Sequence, residues 1–486
     1  MKTRLAAAGL LFATLLLGLD GIGRSLWLDE AWVANSINAP TLSEMFYYPN
    51  WLQSSPPLFL LASRGTVRVL GLSNWSLRSV PLVMALLATL GLFTAATRLQ
   101  SLLFAALATA ILVFFTPEVE YSHTAKQYSG EVAMSIFVIL AAIEYLRQPT
   151  ARRFRWLAAA FLVAVLFSYP SVFLLPGIVL AVYFSNWRRS LLLTAFTGAV
   201  LSVLYFVFIR PNVAPELRAY WASDLENGFS KGTLAALAAG IVITAFSLAR
   251  SKGKLGIREW TQLICVAPCI LLVIAGALGW YPVSYRTRLF AVPGFILIIA
   301  MAAEDLSQRL FLNRQVTNAI VGIALAATVL LGIRAHIRSV PTLPKEDVAG
   351  AVRFLQTAVP SNDLLLVHPS VGETFRLYTA MYGWSAPPVV YGDTGWPCCP
   401  RGKDVHSASS TNDAVVRDLQ RMIPTGYSGR IWLLYTIRPT HWDWIGTDES
   451  KLWRSYLADH GCRVSRPYRR FENLAISTAE CGESAR

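Results

Sequence analysis

Long apolar runs recur along this chain, and they limit what it can fold into more than any other feature. Leu5 to Leu19, Leu157 to Phe167, Leu191 to Ile209 and Ala319 to Leu331 approach or reach the ~20 residues that cross a bilayer as helix. With 54% hydrophobic and 15% charged residues among 486, the chain is too apolar for an ordinary soluble protein. The length rule places about eleven spans, at roughly 5–23, 78–97, 99–116, 129–146, 156–169, 171–187, 190–209, 232–249, 260–279, 289–304 and 316–333. The first run follows Lys2 and Arg4 as a signal peptide would. Asp20-Gly21-Ile22-Gly23-Arg24 lacks the small-x-small cleavage pattern, however, so the run reads as a retained helix.

The net charge of +14 describes topology. With a cytoplasmic N-terminus, the inner loops carry Arg147, Arg152, Arg153 and Arg155, then Arg188 and Arg189, then Arg250, Lys252, Lys254 and Arg258, then Arg309 and Arg314. That is the positive-inside bias repeated loop after loop. Charges split among short loops do not form the stripe that nucleic acid needs, so that class of partner is excluded. An odd number of spans puts the segment after Arg334 outside. Cys398, Cys399, Cys462 and Cys481 all fall there, where disulfides persist. Cys462 with Cys481 is the preferred pair because it brackets the last strand-like runs, although four cysteines allow three pairings. Adjacent Cys398 and Cys399 with His406 lack the usual zinc-ligand spacing. Cys265 and Cys269 lie within a span and read as small buried hydrophobes.

The first outer loop, about 24–77, is long for a connection in a helical membrane protein. Glu30 to Ile37 and Leu58 to Leu70 read as interfacial amphipathic helices, the former with Asp29 as a plausible N-cap. Ser54-Ser55-Pro56-Pro57 forces an extended turn between them. The second outer loop, 117–128, is short and densely polar, and the third, about 210–231, holds Arg210, Glu216, Arg218, Asp224 and Glu226. From Pro344 the composition becomes that of a small α/β domain. Helices are expected at Asp347 to Thr357, Glu373 to Tyr382 and Ala414 to Met422, and strands at Asp363 to Val367, Val389 to Tyr391 and Ile431 to Tyr435, in a small parallel sheet. It carries no Gly-rich phosphate loop, HExxH or GxSxG. The fold class expected is an α-helical polytopic membrane protein, residues 1–335, followed by an extracytoplasmic α/β domain, 336–486.

Chemistry concentrates at the outer face. Leu26-Trp27-Leu28-Asp29-Glu30-Ala31-Trp32 sets two carboxylates between tryptophans just beyond the first span. Carboxylates so near lipid are costly to desolvate and usually have a task or a partner. Further along come Ser55-Pro56-Pro57-Leu58-Phe59 and Leu77-Arg78-Ser79-Val80-Pro81. The second outer loop holds Tyr121-Ser122-His123-Thr124-Ala125-Lys126-Gln127-Tyr128-Ser129, closed by Glu131, and the outer end of the tenth span holds Tyr285-Arg286-Thr287-Arg288-Leu289-Phe290. In these stretches the chain resembles the GT-C superfamily of integral-membrane glycosyltransferases. The resemblance is to its bacterial branch, related to protein mannosyltransferases and to aminoarabinose and galacturonic acid transferases that use polyprenyl-phosphate sugars. It covers about residues 1–335, with a looser echo beyond.

What the resemblance implies is transfer of one sugar from a polyprenyl-monophosphate donor to a lipid, glycan or protein acceptor, outside the cytoplasmic membrane of a bacterium. The residue types suit that chemistry. An attacking hydroxyl needs a base, and Asp29 takes that role with Glu30 as helper or acceptor binder. The departing lipid phosphate needs fixed cations, for which Lys126, Arg286 and Arg288 are suited. Tyr128 and Glu120 complete the expected substrate contacts. No cofactor is required. Some relatives use a divalent metal, for which Asp29, Glu30, Glu118 and Glu120 are the available carboxylates. Each assignment has a plainer competitor: Asp29 as a helix cap, Lys126 as a snorkelling lysine, and Arg286 and Arg288 as headgroup contacts. The rival function is a transporter or flippase of a lipid-linked saccharide, which should carry ionisable residues midway along its spans; none sits there. An inactive scaffold is the third possibility.

Overall fold

The computed structural model describes residues 1–47, 55–212, 231–251, 255–284, 286–310, 313–339, 346–367, 369–385, 389–391, 426–436, 449–467, 469–471 and 474–482, and residues 419, 420 and 423. Most of the third outer loop (Glu216, Arg218, Asp224, Glu226), Cys398, Cys399, His406, and the helix expected at Ala414 to Met422 but for two residues, lie outside them.

The helices, in chain order, are α1 (Lys2–Ile22), α2 (Leu28–Asn38), α3 (Leu42–Phe46), α4 (Pro57–Leu70), α5 (Asn74–Leu99), α6 (Leu102–Val113), α7 (Thr116–Ser122), α8 (Tyr128–Arg147), α9 (Ala151–Phe167), α10 (Leu175–Ser185), α11 (Trp187–Leu204), α12 (Lys231–Arg250), α13 (Ile257–Ala277), α14 (Val292–Leu310), α15 (Arg314–Ser339), α16 (Val348–Ala358), α17 (Pro369–Met381) and α18 (Glu449–Asp459). Among the described residues seven helices are long and apolar enough to cross a membrane, or eight if the bent pair α6–α7 counts as one. The remaining expected segments fall on shorter apolar helices: α9, Tyr169–Ser185 and Leu234–Arg250.

The span expected at 99–116 is not straight. α6 stops at Val113 and α7 leaves it at 63°. Pro117, in the first turn of α7, has no N–H to give and its ring would strike the carbonyl one turn back, so the helix breaks there and restarts. The expected polar loop 117–128 is therefore a helix as far as Ser122, and only 123–127 connect it to α8.

α8 lies at the centre, packed between α5 and α9. Ala88, Ala95, Ala133 and Ala142 are almost wholly buried, and such small residues let helices approach closely where lipid offers no hydrophobic drive. At one end of the bundle Glu144 collects Arg98, Arg147 and Arg153, while Arg258 reaches Glu304 and Asp305. At the other end lie the loop 23–27 and the C-terminal region.

That region is a mixed sheet in the order β2-β1-β3-β6-β4, with β5 also on β6; the strands are β1 (Leu364–Val367), β2 (Val389–Tyr391), β3 (Gly429–Thr436), β4 (Arg463–Val464), β5 (Arg469–Phe471) and β6 (Leu474–Cys481). β2, β1 and β3 are parallel as expected, but β6 runs antiparallel to β3 and β5. For β5 and β6 the direction follows from connection length. β5 returns to β6 across two residues, too few for the crossover that a parallel pair requires. Cys462 and Cys481 are bonded. Alternation sorts the two faces: Leu365, Val367, Trp432 and Leu434 share a core with α16, α17 and the membrane bundle, while Leu364, Leu366, Ile431 and Leu433 pack on Trp453 and Leu457 of α18.

Candidate active site

The peptide between α1 and α2 is held from several sides. Arg78, near the start of α5, is 3% exposed and Glu30 1%. The guanidinium donates to both Glu30 oxygens, Nε to Oε1 at 2.9 Å and Nη2 to Oε2 at 2.7 Å. Its remaining N–H groups go to the carbonyls of Gly21, Ile22, Arg24 and Ser25. The first two end α1, where carbonyls lack helical partners and the helix dipole favours a cation. Glu30 Oε1 also accepts from the Ala125 amide at 2.6 Å, and Oε2 from the Trp27 amide at 3.4 Å. A buried arginine–carboxylate pair tolerates its desolvation only when hydrogen bonds satisfy it this fully.

Asp29 is not the cap of α2. Trp27 stands at that position, and Glu30, three residues on, reaches back to its amide. Asp29 lies in the first turn with its carboxylate turned away from the Glu30 cluster. Its Oδ2 accepts from Arg286 Nη1 at 2.7 Å, with 18% of the Asp29 and 15% of the Arg286 side chain exposed. Arg286 sits in a turn organised by Thr287, whose hydroxyl donates to the Pro282 carbonyl at 2.6 Å and accepts from the Ser284 amide at 2.8 Å. The Tyr281 hydroxyl closes the turn on the Thr287 carbonyl at 2.9 Å. Arg288 follows in the same turn, half-buried.

Lys126 is one residue beyond the Ala125 amide that Glu30 holds. Burial, with Arg286 nearby, pulls its ammonium below the ordinary lysine range, while Asp29 and Glu30 act the other way. Among the described residues it makes no ion pair within hydrogen-bonding reach. Glu120 on α7 lies within the field of Arg286. Tyr128, buried at the head of α8, meets Tyr121 edge to face at 4.6 Å. Asp29, Lys126, Glu120 and Arg286 thus gather at one place, and Glu30 lies beneath them. The His123 ring packs against the backbone of Gly21, where a Cβ would collide with it.

No family model matches the chain, and no curated protein matches it in sequence. Solved structures do match. ArnT from Cupriavidus metallidurans bound to undecaprenyl phosphate superimposes with a TM-score of 0.52 at 12% identity, over 98% of this chain and 97% of that one. Archaeal oligosaccharyltransferase AglB from Archaeoglobus fulgidus, in complex with an inhibitory peptide and a dolichol-phosphate, gives 0.54 at 11% identity, over 98% of this chain and 74% of that one. The Archaeoglobus fulgidus oligosaccharyltransferase tethered to an acceptor peptide gives 0.53 at 12%, over 90% and 69%. The chain has the GT-C fold.

Within that GT-C fold the carboxylates do not assemble a metal site. Glu30 is saturated by Arg78 and two amides, Asp29 is paired with Arg286, and no group of three candidate ligands gathers among the described residues. The donor set does not fit a divalent cation. Sequence reasoning gave Arg78 no task, and it did not find Asn74 or Tyr378, which also hold the loop before Asp29. One signal was available: a lone arginine at the start of an apolar helix needs a buried partner.

Proposed function

We propose that the protein is a membrane glycosyltransferase that moves one sugar from a polyprenyl-monophosphate carrier to a lipid, glycan or protein acceptor on the extracytoplasmic side. The observation that carries this reading is the Asp29–Arg286 pair at 2.7 Å with Lys126 in the field of both. A base and the cations for a phosphate leaving group stand side by side at the end of the bundle that bears the C-terminal sheet. The neighbours of like fold hold undecaprenyl phosphate or dolichol-phosphate, which fits a lipid phosphate as ligand. The positive-inside loops and the Cys462–Cys481 disulfide favour an external placement of this end.

Asp29 removes the proton from the acceptor hydroxyl as that oxygen attacks the anomeric carbon. The bond from the carbon to the phosphate oxygen breaks, and the phosphate keeps the electron pair. Lys126, Arg286 and Arg288 stabilise its added charge. At rest, the Arg286 guanidinium donates to the Asp29 carboxylate. Arriving phosphate competes for the guanidinium and frees the carboxylate to take the acceptor's proton. Tyr128 and Glu120 contact sugar or acceptor. Glu30 positions Asp29 and Lys126 together, since its carboxylate ties α2 to the Ala125 amide.

The test uses purified protein in lipid with a panel of polyprenyl-phosphate sugars, following release of free polyprenyl phosphate for wild type and Asp29→Asn. Release from one donor, lost in the variant, supports the assignment. A folded protein that binds none of them removes it and returns the transporter to first place.

A further inference from the structure

A tyrosine hydroxyl of the C-terminal domain reaches into the loop before Asp29. Tyr378 on α17 is 1% exposed. Its oxygen accepts from the Leu26 amide at 2.8 Å and donates to Asn74 Oδ1 at 3.0 Å. Asn74, the first residue of α5, passes the link back: its Nδ2 donates to the Arg24 carbonyl at 2.9 Å and the Gly23 carbonyl at 3.3 Å. Both ends of the loop therefore close on the same two side chains. Leu26 is wholly buried, so without this hydroxyl its amide would have to find another acceptor in an apolar setting.

Two further contacts come from the same domain. The Ala349 amide at the head of α16 donates to Ser25 Oγ at 3.2 Å, and Asn35 Nδ2 on α2 donates to the Glu373 carbonyl at 3.1 Å. α17 lies along α2, the helix that carries Asp29 in its first turn.

We infer that Tyr378 is a positioning residue, through which the C-terminal domain fixes the backbone that projects Asp29 toward Arg286. The inference rests on Asp29 being the base. Tyr378 touches no reacting atom; it acts through Leu26, three residues before Asp29. A shift of an ångström in a catalytic group is enough to slow a reaction many-fold. The C-terminal domain then belongs to the catalytic framework.

The experiment compares Tyr378→Phe with Tyr382→Phe in full-length protein in lipid. Phe keeps the ring and its stacking on Tyr382, 5.6 Å away, whereas the Tyr382 hydroxyl faces Arg353. Amide exchange and steady-state transfer are both measured. The expected result for Tyr378→Phe is exchange about ten-fold faster across 23–27, unchanged exchange in β3 and β6, and kcat lowered about ten-fold with donor KM unmoved; Tyr382→Phe should change none of these. Unchanged exchange at 23–27 overturns the inference, as does faster exchange there with full kcat. General loosening of β3 and β6 would also overturn it, by making the residue merely structural. Wild type inactive on every donor would overturn the transferase reading and this inference with it; an active wild type with an unaffected variant overturns the inference alone.

Discussion

The floor of the site and its mouth are built from the same chemical pair and behave as opposites. On the floor, Glu30 and Arg78 are 1% and 3% exposed, and the guanidinium also serves four backbone carbonyls. At the mouth, one residue away in sequence, Asp29 and Arg286 retain 18% and 15% exposure. Desolvation costs several kcal/mol per buried ion, so the floor pair persists only as a fully bonded unit, and nothing can displace either partner. The mouth pair keeps an edge open to solvent, where an incoming anion can compete for the guanidinium. Burial, more than residue type, separates the scaffold pair from the pair proposed to react.

The strongest way to test that division is to remove the reagent. Asp29→Asn should lower turnover by about 10²–10⁴-fold while thermal unfolding stays near wild type; loss of folded protein instead would mean that the mouth is scaffold too. Glu30→Gln should do the reverse, destabilising by about 3–5 kcal/mol because Arg78 is left buried and unpaired. Adding Arg78→Met to it should restore part of the loss, a non-additivity read from thermal melts.

Smaller effects sharpen the contrast. Arg286→Met should raise donor KM about ten- to a hundred-fold and cost less stability than Glu30→Gln, because its pair retains 15–18% exposure. Lys126 is held below its ordinary range by burial, so its charge is lost as pH rises, earlier than for an exposed lysine. Donor affinity should weaken over that alkaline limb, and Lys126→Arg should flatten it. The weakest effect concerns the docked domain. Burial raises the Glu373 carboxyl to about 7. The folded form thus binds a proton that the unfolded chain has released; the stability this confers is present below the ordinary carboxylate range and lost as pH rises through about 7. Tm should fall by about 2–4 °C between acid and mildly alkaline buffer, and Glu373→Gln should remove that slope.

Much of the membrane part was legible because apolar length and loop charge are written locally. Leu58 to Leu70 and Asp347 to Thr357 were placed within a residue or two of α4 and α16. Local signals also misled. Asp29 looked like a helix cap because Asp caps well, yet Trp27 holds that place once Glu30 turns back to the Trp27 amide. The span was ended at 116, just before Pro117, but the helix that restarts there as α7 went unread. The small sheet was expected to be parallel from alternation alone, and the short β5–β6 return went unread. Partners separated by long stretches of chain left no local trace: Glu30 with Arg78 across 48 residues, Asp29 with Arg286 across 257, Leu26 with Tyr378 across 352. Family pattern supplied Arg286; nothing local pointed to Tyr378, an ordinary tyrosine in an ordinary amphipathic helix.

The last span has a consequence of its own. α15, which leads into the C-terminal region, has only 6% of its apolar stretch buried. Its tightest seat is Gly332, where the Phe114 side chain lies directly on the backbone. The apolar core shared by α16, α17 and the bundle holds the domain independently of this helix. The domain thus has two attachments, the covalent one through α15 and the packed one through its own surface. A protein arranged in this way can be divided: the bundle and the domain, made as two polypeptides, should find each other and rebuild the same loop.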